Sequence, residues 1–158
     1  MKVDFLKGLG YVGFTARIKR ISDLLIYSAR EHYNSINIGI EPNWHLIFLL
    51  LKEEEQLTVT EIANRLQFSH PAIIKIVKKM KEKGYLERFT DSKDSRKQCI
   101  RLSGKAIHEL PKFEAEWQNI QLVIRGLVDD DFLERLNQLD QKLKDKSFQE
   151  RYKDQISI

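Results

Sequence analysis

The sequence predicts a mainly α-helical protein with a small β-hairpin wing, that is, a winged helix-turn-helix whose flanking helices form a dimerisation region. Three observations support this class. Apolar residues recur at helical spacing along most of the chain. Seven glycines and three prolines in 158 residues are too few turn residues for an all-β sandwich. Near the middle of the chain, two strand-like stretches flank a polar, turn-rich segment, which is typical of a hairpin.

Two helices are predicted before residue 57. The first is one long helix from residue 4 to about residue 35, since apolar residues recur at helical spacing at Phe14, Ile18, Ile21 and Leu25. Asn37 and Gly39 end it. Pro42 suits the first turn of the second helix, because the amide hydrogen that proline lacks would have no partner there. The run Leu46–Leu51 is apolar nearly all round, so the second helix is expected to lie centrally in the fold.

Two short helices joined by a tight turn are predicted between residues 58 and 84. Thr58 and Glu61 have the spacing of a capping box at the start of the first. Ser69 is expected to be the N-cap of the second, and Gly84 to end it. The second helix should bury one apolar stripe, so its lysines point mostly elsewhere. The stripe consists of Ile73, Ile76, Val77 and Met80.

The hairpin and two further helices complete the prediction. Residues 85–89 and 98–102 are strand-like, and the segment between them forms a long basic tip. Ser103 is expected to cap a helix that Pro111 kinks, with Ile107, Leu110, Phe113, Trp117, Ile120 and Ile124 facing inward. Asp129–Asp131 is expected to start the last helix, because acidic side chains are favourable at a helix N-terminus. That helix is lined by Leu133, Leu136, Leu139 and Leu143, and Phe148 and Tyr152 in the polar tail that follows could form one more docked turn.

The net charge of +4 is concentrated in one part of the chain. Residues 69–105 hold eleven basic and four acidic side chains, a net charge of +7, whereas residues 1–57 are neutral and residues 106–158 carry −3. A basic block between neutral and acidic flanks favours a polyanionic partner, because neutralising phosphates supplies most of the non-specific affinity for nucleic acid. The alternative is a lysine-rich helix face that only interacts with solvent.

The patterns of an enzyme, a metal site and a membrane protein are all missing from the sequence. No glycine-rich phosphate loop, nucleophile motif or cysteine pair occurs, so neither catalysis nor a cofactor is expected. Glu41 and His45 are four residues apart, but nothing completes a metal-ligand set. No apolar run is long enough to span a membrane, no export signal is visible, and a single cysteine fits a reducing cytoplasm. For that cysteine, Cys99, a buried apolar role is favoured over a redox sensor.

A helix pair with a basic second helix, followed by a hairpin with a basic tip, describes a winged helix-turn-helix. The stretch Leu57–Ala106 resembles the core of the MarR family of transcriptional regulators. The similarity lies in the LT-x-x-E-x-A helix start, in KGYLER, and in Asp94-Ser95-Arg96 followed by Leu102-Ser103-Gly104, which is similar to the family's D-x-R…L-T wing signature. A weaker likeness, at residues 147–151, is to proteins in which a MarR-like half precedes an acetyltransferase domain. No acetyltransferase activity is expected from it.

The MarR resemblance implies a cytoplasmic homodimer that binds double-stranded DNA at a pseudo-palindromic operator and represses by occluding a promoter. It covers residues 1–158 as a single MarR-like domain. Within it, residues 41–104 would form the DNA-binding lobe, and residues 1–36 and 105–145 the dimerisation helices.

DNA contacts are expected from the second short helix and from the wing. Lys75 is the best candidate for a guanine edge, Ile74 for a thymine methyl group, and Arg96 for insertion into the minor groove. The alternatives are solubility for the lysines and burial for Ile74. The predicted DNA-binding residues are Thr58, Ser69, His70, Pro71, Ile74, Lys75, Lys78, Lys79, Lys93, Asp94, Arg96 and Lys97.

The resemblance also implies release by a small, often aromatic, effector. Residues available for an effector pocket are Tyr11, Arg17, Trp44, His45 and Trp117, for which a place in the core is the alternative. Two other functions are left open. One is a protein-interaction module that uses the winged helix without specific DNA binding, and the other is the regulatory half of a two-part enzyme.

Overall fold

The structure, a computed structural model, describes residues 4–90 and 96–156. It divides into two units, residues 1–111 and 112–158. The described chain is mainly helical with a small antiparallel sheet, which confirms the predicted fold class. The helices are α1 (Phe5–Gly8), α2 (Phe14–Ser35), α3 (His45–Glu54), α4 (Val59–Leu66), α5 (His70–Glu82), α6 (Gly104–Arg125), α7 (Asp130–Asp145) and α8 (Phe148–Ile156), and the strands are β1 (Gln56–Thr58), β2 (Leu86–Thr90) and β3 (Gln98–Leu102).

The predicted first helix is interrupted between α1, which ends at Gly8, and α2, which begins at Phe14. The prediction of one continuous helix is therefore wrong, and glycine is the physical reason. Gly10 adopts a left-handed backbone conformation with φ of +53°. A Cβ atom at Gly13 would lie 2.7 Å from the backbone oxygen of Leu6, so only glycine allows this close approach.

An ion pair closes the turn between α1 and α2. Asp4 caps α1 by accepting from the amide of Leu6 at 3.1 Å, and it also accepts two hydrogen bonds from the guanidinium of Arg20, at 2.8 and 3.1 Å. The hydrogen bonds from Arg20 are the main reason why the pKa of Asp4 is lowered to about 2. Both side chains are partly exposed, so this pair orients α1 more than it stabilises the fold.

Helix α3 is central to the first unit, as the apolar run predicts. Ile47 and Phe48 are fully buried and Leu51 is nearly so, whereas Leu49 is 42% exposed. The helix is entered through a 3-10 turn, Pro42–Trp44, which confirms the predicted start at this proline. The helix is therefore not buried all round, because the side that carries Leu49 is in contact with solvent.

The sheet contains one strand that the sequence did not predict. β3 lies in the centre, with β1 on one side and β2 on the other, and both pairs are antiparallel. β2 and β3 form the predicted hairpin. β1 has only three residues, too few for an alternating pattern to reveal it, yet it places Leu57 opposite Ile100.

The helix-turn-helix is formed by α4 and α5. Thr58 accepts from the amide of Glu61 at 3.2 Å, and the Glu61 carboxylate accepts from the amide of Thr58 at 2.7 Å, so the predicted capping box is confirmed. Gln67 makes the turn with φ of +54°. Ser69 holds the N-cap position of α5, but its side chain makes no capping hydrogen bond, contrary to the prediction. Gly84 follows α5 with φ of +77° and ends it as predicted.

Helix α6 begins in the first unit and extends into the second. Ser103 caps it by accepting from the amide of Ala106 at 3.1 Å, as predicted. The predicted inward face is correct for Leu110 and Phe113, which are buried, and wrong for Ile107, which is 61% exposed. An apolar stripe faces inward only where another surface covers it, and no described part of the chain covers Ile107.

In the second unit, α7 begins as predicted, with Asp129 accepting from the amide of Phe132 at 2.8 Å. It is not the last helix, because α8 follows it. A capping box at the start of α8 explains the difference: Ser147 and Glu150 exchange hydrogen bonds of 2.8 and 3.2 Å. Among the described residues, no helix has the length and apolar character that crossing a membrane requires.

Tyr85 joins the end of the helix-turn-helix to α6. Its ring packs edge-on against Trp44 and Phe48, at centroid distances of 6.0 and 5.4 Å, and its hydroxyl donates to Glu109 at 3.0 Å. The ammonium of Lys105 lies 4.3 Å from the centre of the ring. Burial, followed by the bond to Glu109, raises the pKa of Tyr85 to about 12.

Substituting the cap of α4 should destabilise the fold without changing its core. We expect Thr58→Ala to lower the free energy of unfolding by about 1 kcal/mol, because one α4 amide loses its acceptor. Thr60→Ala is the matched control, since Thr60 is an exposed residue of the same helix turn whose hydroxyl caps no amide and has only a 3.5 Å contact with His70 Nε2. Urea denaturation measures both variants. Equal losses in the two would contradict the capping role.

Tyr85→Phe should reveal the hydroxyl through its pH dependence. Because the folded protein raises the pKa of Tyr85 from 10.0 to about 12, the hydroxyl stabilises the fold fully below pH 10 and ceases to do so as the pH rises toward 12. We therefore expect wild type to be more stable than the variant by about 1 kcal/mol at neutral pH. The difference should shrink above pH 10 in denaturation measured across that range. A difference that stays constant would count against the hydrogen bond.

Candidate nucleic-acid interface

One face of α5 anchors it in the first unit and determines where its other side chains point. Ile73 and Met80 are fully buried and Val77 is 5% exposed, which confirms most of the predicted stripe. Ile76 is half-buried. The remaining faces of α5 project from the surface, and they hold the lysines of the basic block.

An open groove of about 960 Å³ lies between α5 and the β2–β3 hairpin. Its walls combine apolar side chains with five basic ones, against a single carboxylate. The start of α4 also contributes to its lining. The lining residues are Thr58, Val59, Thr60, His70, Ile74, Val77, Lys78, Lys81, Glu82, Arg88, Arg96, Lys97, Gln98 and Ile100.

The structure divides the lysines of α5 between two edges of the helix. Lys78 and Lys81 line the groove together with Ile74. Lys75 and Lys79 do not line it. At 3.6 residues per turn, Lys78 and Lys81 lie within about 40° of Ile74 around the helix axis, whereas Lys75 and Lys79 lie about 100° and 140° away. The basic block therefore presents two cationic edges rather than one.

The start of α5 lies beside the start of α4 in the lining of the groove. His70 Nε2 lies 3.5 Å from the hydroxyl oxygen of Thr60, and both residues line the groove. Thr58 also lines it, while its hydroxyl donates to Glu61 at 2.8 Å within the capping box. Pro71 lies in the first turn of α5. Of these predicted DNA-binding residues, Thr58 and His70 line the groove, whereas Pro71 is not among the residues that line it.

The wing supplies the opposite wall. Arg96 and Lys97 line the groove, whereas the predicted contacts Lys93 and Asp94 lie outside the described residues. On the other face of the hairpin, Arg101 donates to Glu87 at 3.1 Å and its guanidinium lies 5.0 Å from the centre of the Phe89 ring. These cross-strand contacts stiffen the hairpin that carries the wing cations.

Sequence reasoning missed two basic residues of the groove, Lys81 and Arg88. The helical period could have indicated Lys81, which lies three residues after Lys78 on the same edge of α5. Alternation along β2 could have indicated Arg88, since it lies two residues after the buried Leu86 and so on the same face of the strand.

The residues predicted for an effector pocket have different environments. Tyr11 lies between α1 and α2 and is 99% exposed, whereas Trp44 is 3% exposed and packs against Tyr85. Arg17 is on α2, His45 begins α3, and Trp117 is on α6 in the second unit. The described residues that line the groove include none of the five. An effector pocket made of them stays a prediction.

No described residues form a metal site, judged by groups of three or more histidine, cysteine, aspartate or glutamate side chains. Glu41 instead pairs with Arg30 at 2.8 Å, and His45 Nδ1 lies 2.6 Å from the backbone oxygen of Pro42. Cys99 is buried in β3, as predicted.

Part of this chain is similar in sequence to the MarR family and to a known transcriptional regulator. The sequence model of the MarR family matches residues 38–97. The transcriptional regulator AdcR of Streptococcus pneumoniae serotype 2 (strain D39 / NCTC 7466) is 46% identical over 48 residues, which are 30% of this chain and 33% of AdcR. The match thus spans a third of that relative. These similarities confirm the predicted resemblance to MarR regulators.

Solved structures with the same fold include complexes with DNA. MepR of S. aureus, in a DNA complex, has a TM-score of 0.66 at 18% identity and covers 84% of this chain and 96% of its own. A mutant MarR from E. coli, complexed with operator DNA, has a TM-score of 0.67 at 15% identity, with coverages of 89% and 99%. PcaV of Streptomyces coelicolor, in complex with its natural ligand, has a TM-score of 0.66 at 16% identity, with coverages of 93% and 99%. At these identities the likeness shows the fold.

Proposed function

We propose that this protein is a sequence-specific DNA-binding transcriptional regulator that acts as a homodimer, on the basis of the match of residues 38–97 to the sequence model of the MarR family. Its default action would be repression by occlusion of a promoter, in the cytoplasm where chromosomal DNA lies, and no enzymatic activity is proposed. The observation that carries the proposal is the cationic groove between α5 and the wing. The related regulators and DNA complexes described above support it.

The dimensions of α5 fit the reading of bases. An α-helix with its side chains is about 10–12 Å across, and the major groove of B-DNA is about 12 Å wide. With its apolar face buried, α5 can present its opposite side to base edges. We propose that Lys75 donates to a guanine and that Ile74, which is 47% exposed, contacts a thymine methyl group.

The charge distribution favours DNA over a protein partner. Five basic side chains line the groove against Glu82 alone, and Lys78 partly neutralises that carboxylate from 4.0 Å. A protein-interaction surface of ordinary composition would be depleted in lysine at its centre. Arg96, at the base of the wing tip, is the residue that we propose for the minor groove, where a narrow groove attracts arginine.

A homodimer would cover the apolar surface that one chain leaves exposed. One face of α2 exposes 43–50% of each of Phe14, Ile18, Ile21 and Leu25. Helix α7 exposes 42–49% of each of Leu133, Leu136 and Leu143. Monomers rarely leave contiguous apolar surfaces of this kind uncovered. Residues 1–36 and 105–145 are therefore proposed as dimerisation helices, with residues 41–104 as the DNA-binding lobe.

Release by a small aromatic effector is the regulatory part of the proposal. The complex of PcaV with its natural ligand is a precedent in this fold. An effector would act by preferring a spacing of the two DNA-binding lobes that mismatches successive major grooves, with a coupling of about 1–3 kcal/mol.

The first experiment is selection of bound fragments from the source genome, followed by footprinting at two salt concentrations. We expect a protected site with two-fold symmetry and half-sites about 10 base pairs apart, as dimeric helix-turn-helix proteins require. The genes beside it would then name the regulated process. An absence of enriched fragments, with only weak salt-sensitive binding, would favour the protein-interaction module instead.

Lys75→Gln should weaken binding to the selected site more than binding to a random duplex. Loss of a base contact costs about 1–3 kcal/mol, or roughly 5- to 150-fold in affinity for the selected site. Lys83→Gln removes the same charge from the end of α5, outside the groove, and is expected to change discrimination little. Fluorescence anisotropy with both duplexes measures the effect. Equal weakening on both duplexes would reassign Lys75 to phosphate binding.

A further inference from the structure

We propose that Lys78, Lys81 and Arg88 form a seat for the DNA strand that separates the major groove from the neighbouring minor groove, while Lys79 faces the other strand of the major groove and Lys75 lies between the two strands, toward the bases. Lys81 and Arg88 are thereby assigned as phosphate contacts that position the protein without reading sequence. The inference rests on the proposed function, because it presupposes that α5 enters the major groove.

The two lysine-bearing edges of α5 would each face a different phosphate strand. A helix lying in the major groove has a phosphate strand on each side, since the groove is only about as wide as the helix. The lysines of α5 lie on two edges, and only the edge with Lys78 and Lys81 faces the wing across the groove. Each edge therefore has its own strand, and the strand on the wing side is the one next to Lys78 and Lys81.

The register of the hairpin brings Arg88 to the groove. Arg88 lies opposite Ile100, and Leu86 lies opposite Leu102, so Leu86 and Arg88 belong to one face of the sheet. Leu86, Leu102 and Ile100 are buried, whereas Arg88 is exposed and lines the groove. That face changes from apolar to cationic where it leaves the core, which places a guanidinium in the lining of the groove.

In a DNA duplex, a phosphate strand separates each major groove from the neighbouring minor groove. For α5 to occupy the major groove while the wing reaches the minor groove, one phosphate strand must pass between them. The space between α5 and the wing is the groove of about 960 Å³, lined by five cations. Backbone contacts of this kind orient the protein and carry no sequence information.

Glu82 is the one acidic residue among the described lining residues, so replacing it tests whether the groove binds an anionic strand. Its carboxylate lies 4.0 Å from the Lys78 ammonium, one turn along the same edge. Near a phosphate strand this carboxylate is unfavourable, and it also occupies Lys78. Glu82→Gln should therefore tighten binding to any duplex, by about two- to fivefold on the scale of an exposed charge pair.

The test is the salt dependence of affinity for Lys81→Gln and Arg88→Gln, measured with full-length protein on the selected site and on a random duplex. Each substitution should reduce the slope of log K against log salt by about 0.9 and lower affinity about fivefold at 0.15 M salt. The loss should be the same on both duplexes. Both residues are exposed, so circular dichroism should show the wild-type fold.

Lys83→Gln is the matched control, with the same change of charge at a residue outside the groove. A slope for Lys81→Gln and Arg88→Gln equal to that of wild type, or no greater a change than in Lys83→Gln, would overturn the seat. Loss on the selected site alone would do so as well, because it would indicate base contacts. If Arg96→Gln weakens binding while the two seat variants do not, the seat fails and DNA binding stands. If wild type binds no duplex, the proposed function itself fails.

Discussion

The candidate site depends on the burial of one face of α5. Ile73, Val77 and Met80 lie in the core of the first unit, and this contact determines the rotation of the helix about its own axis. Because each residue is displaced by about 100° from the one before it, this rotation also fixes the directions of the lysines, which therefore lie on two edges of the helix. The separation into two cationic edges is thus a consequence of core packing.

Much of the fold could be predicted because it depends on interactions between residues that are close together in the sequence. The capping box at Thr58, the glycine stop at Gly84 and the apolar stripe of α5 each depend on residues within one or two turns of each other. The pairing of β2 with β3 was visible for the same reason. Where the physics is local, composition and spacing are enough.

The features that escaped prediction depend on contacts between residues distant in sequence or on detailed backbone geometry. Gly13 looks like any glycine until the Leu6 carbonyl is placed beside it. β1 becomes a strand only because β3 offers an edge to pair with. Local periodicity relates Lys81 to Lys78 and Arg88 to Leu86, but only the meeting of α5 with the hairpin shows that Lys81 and Arg88 line the same groove. The roles of Lys93 and Asp94, outside the described residues, stay predictions.

The three-residue strand β1 has a consequence for the folding of the chain. Its pairing of Thr58 with Cys99 closes a loop of about forty residues that contains all of α4, α5 and β2. Closing so long a loop costs entropy before any contact is regained, so this pairing is expected to form late, around helices and a hairpin that are already in place. Completing the sheet then locks the helix-turn-helix and the wing into a single cooperative unit. A nascent chain would therefore complete this unit, and with it the groove between α5 and the wing, only after residue 101 has left the ribosome.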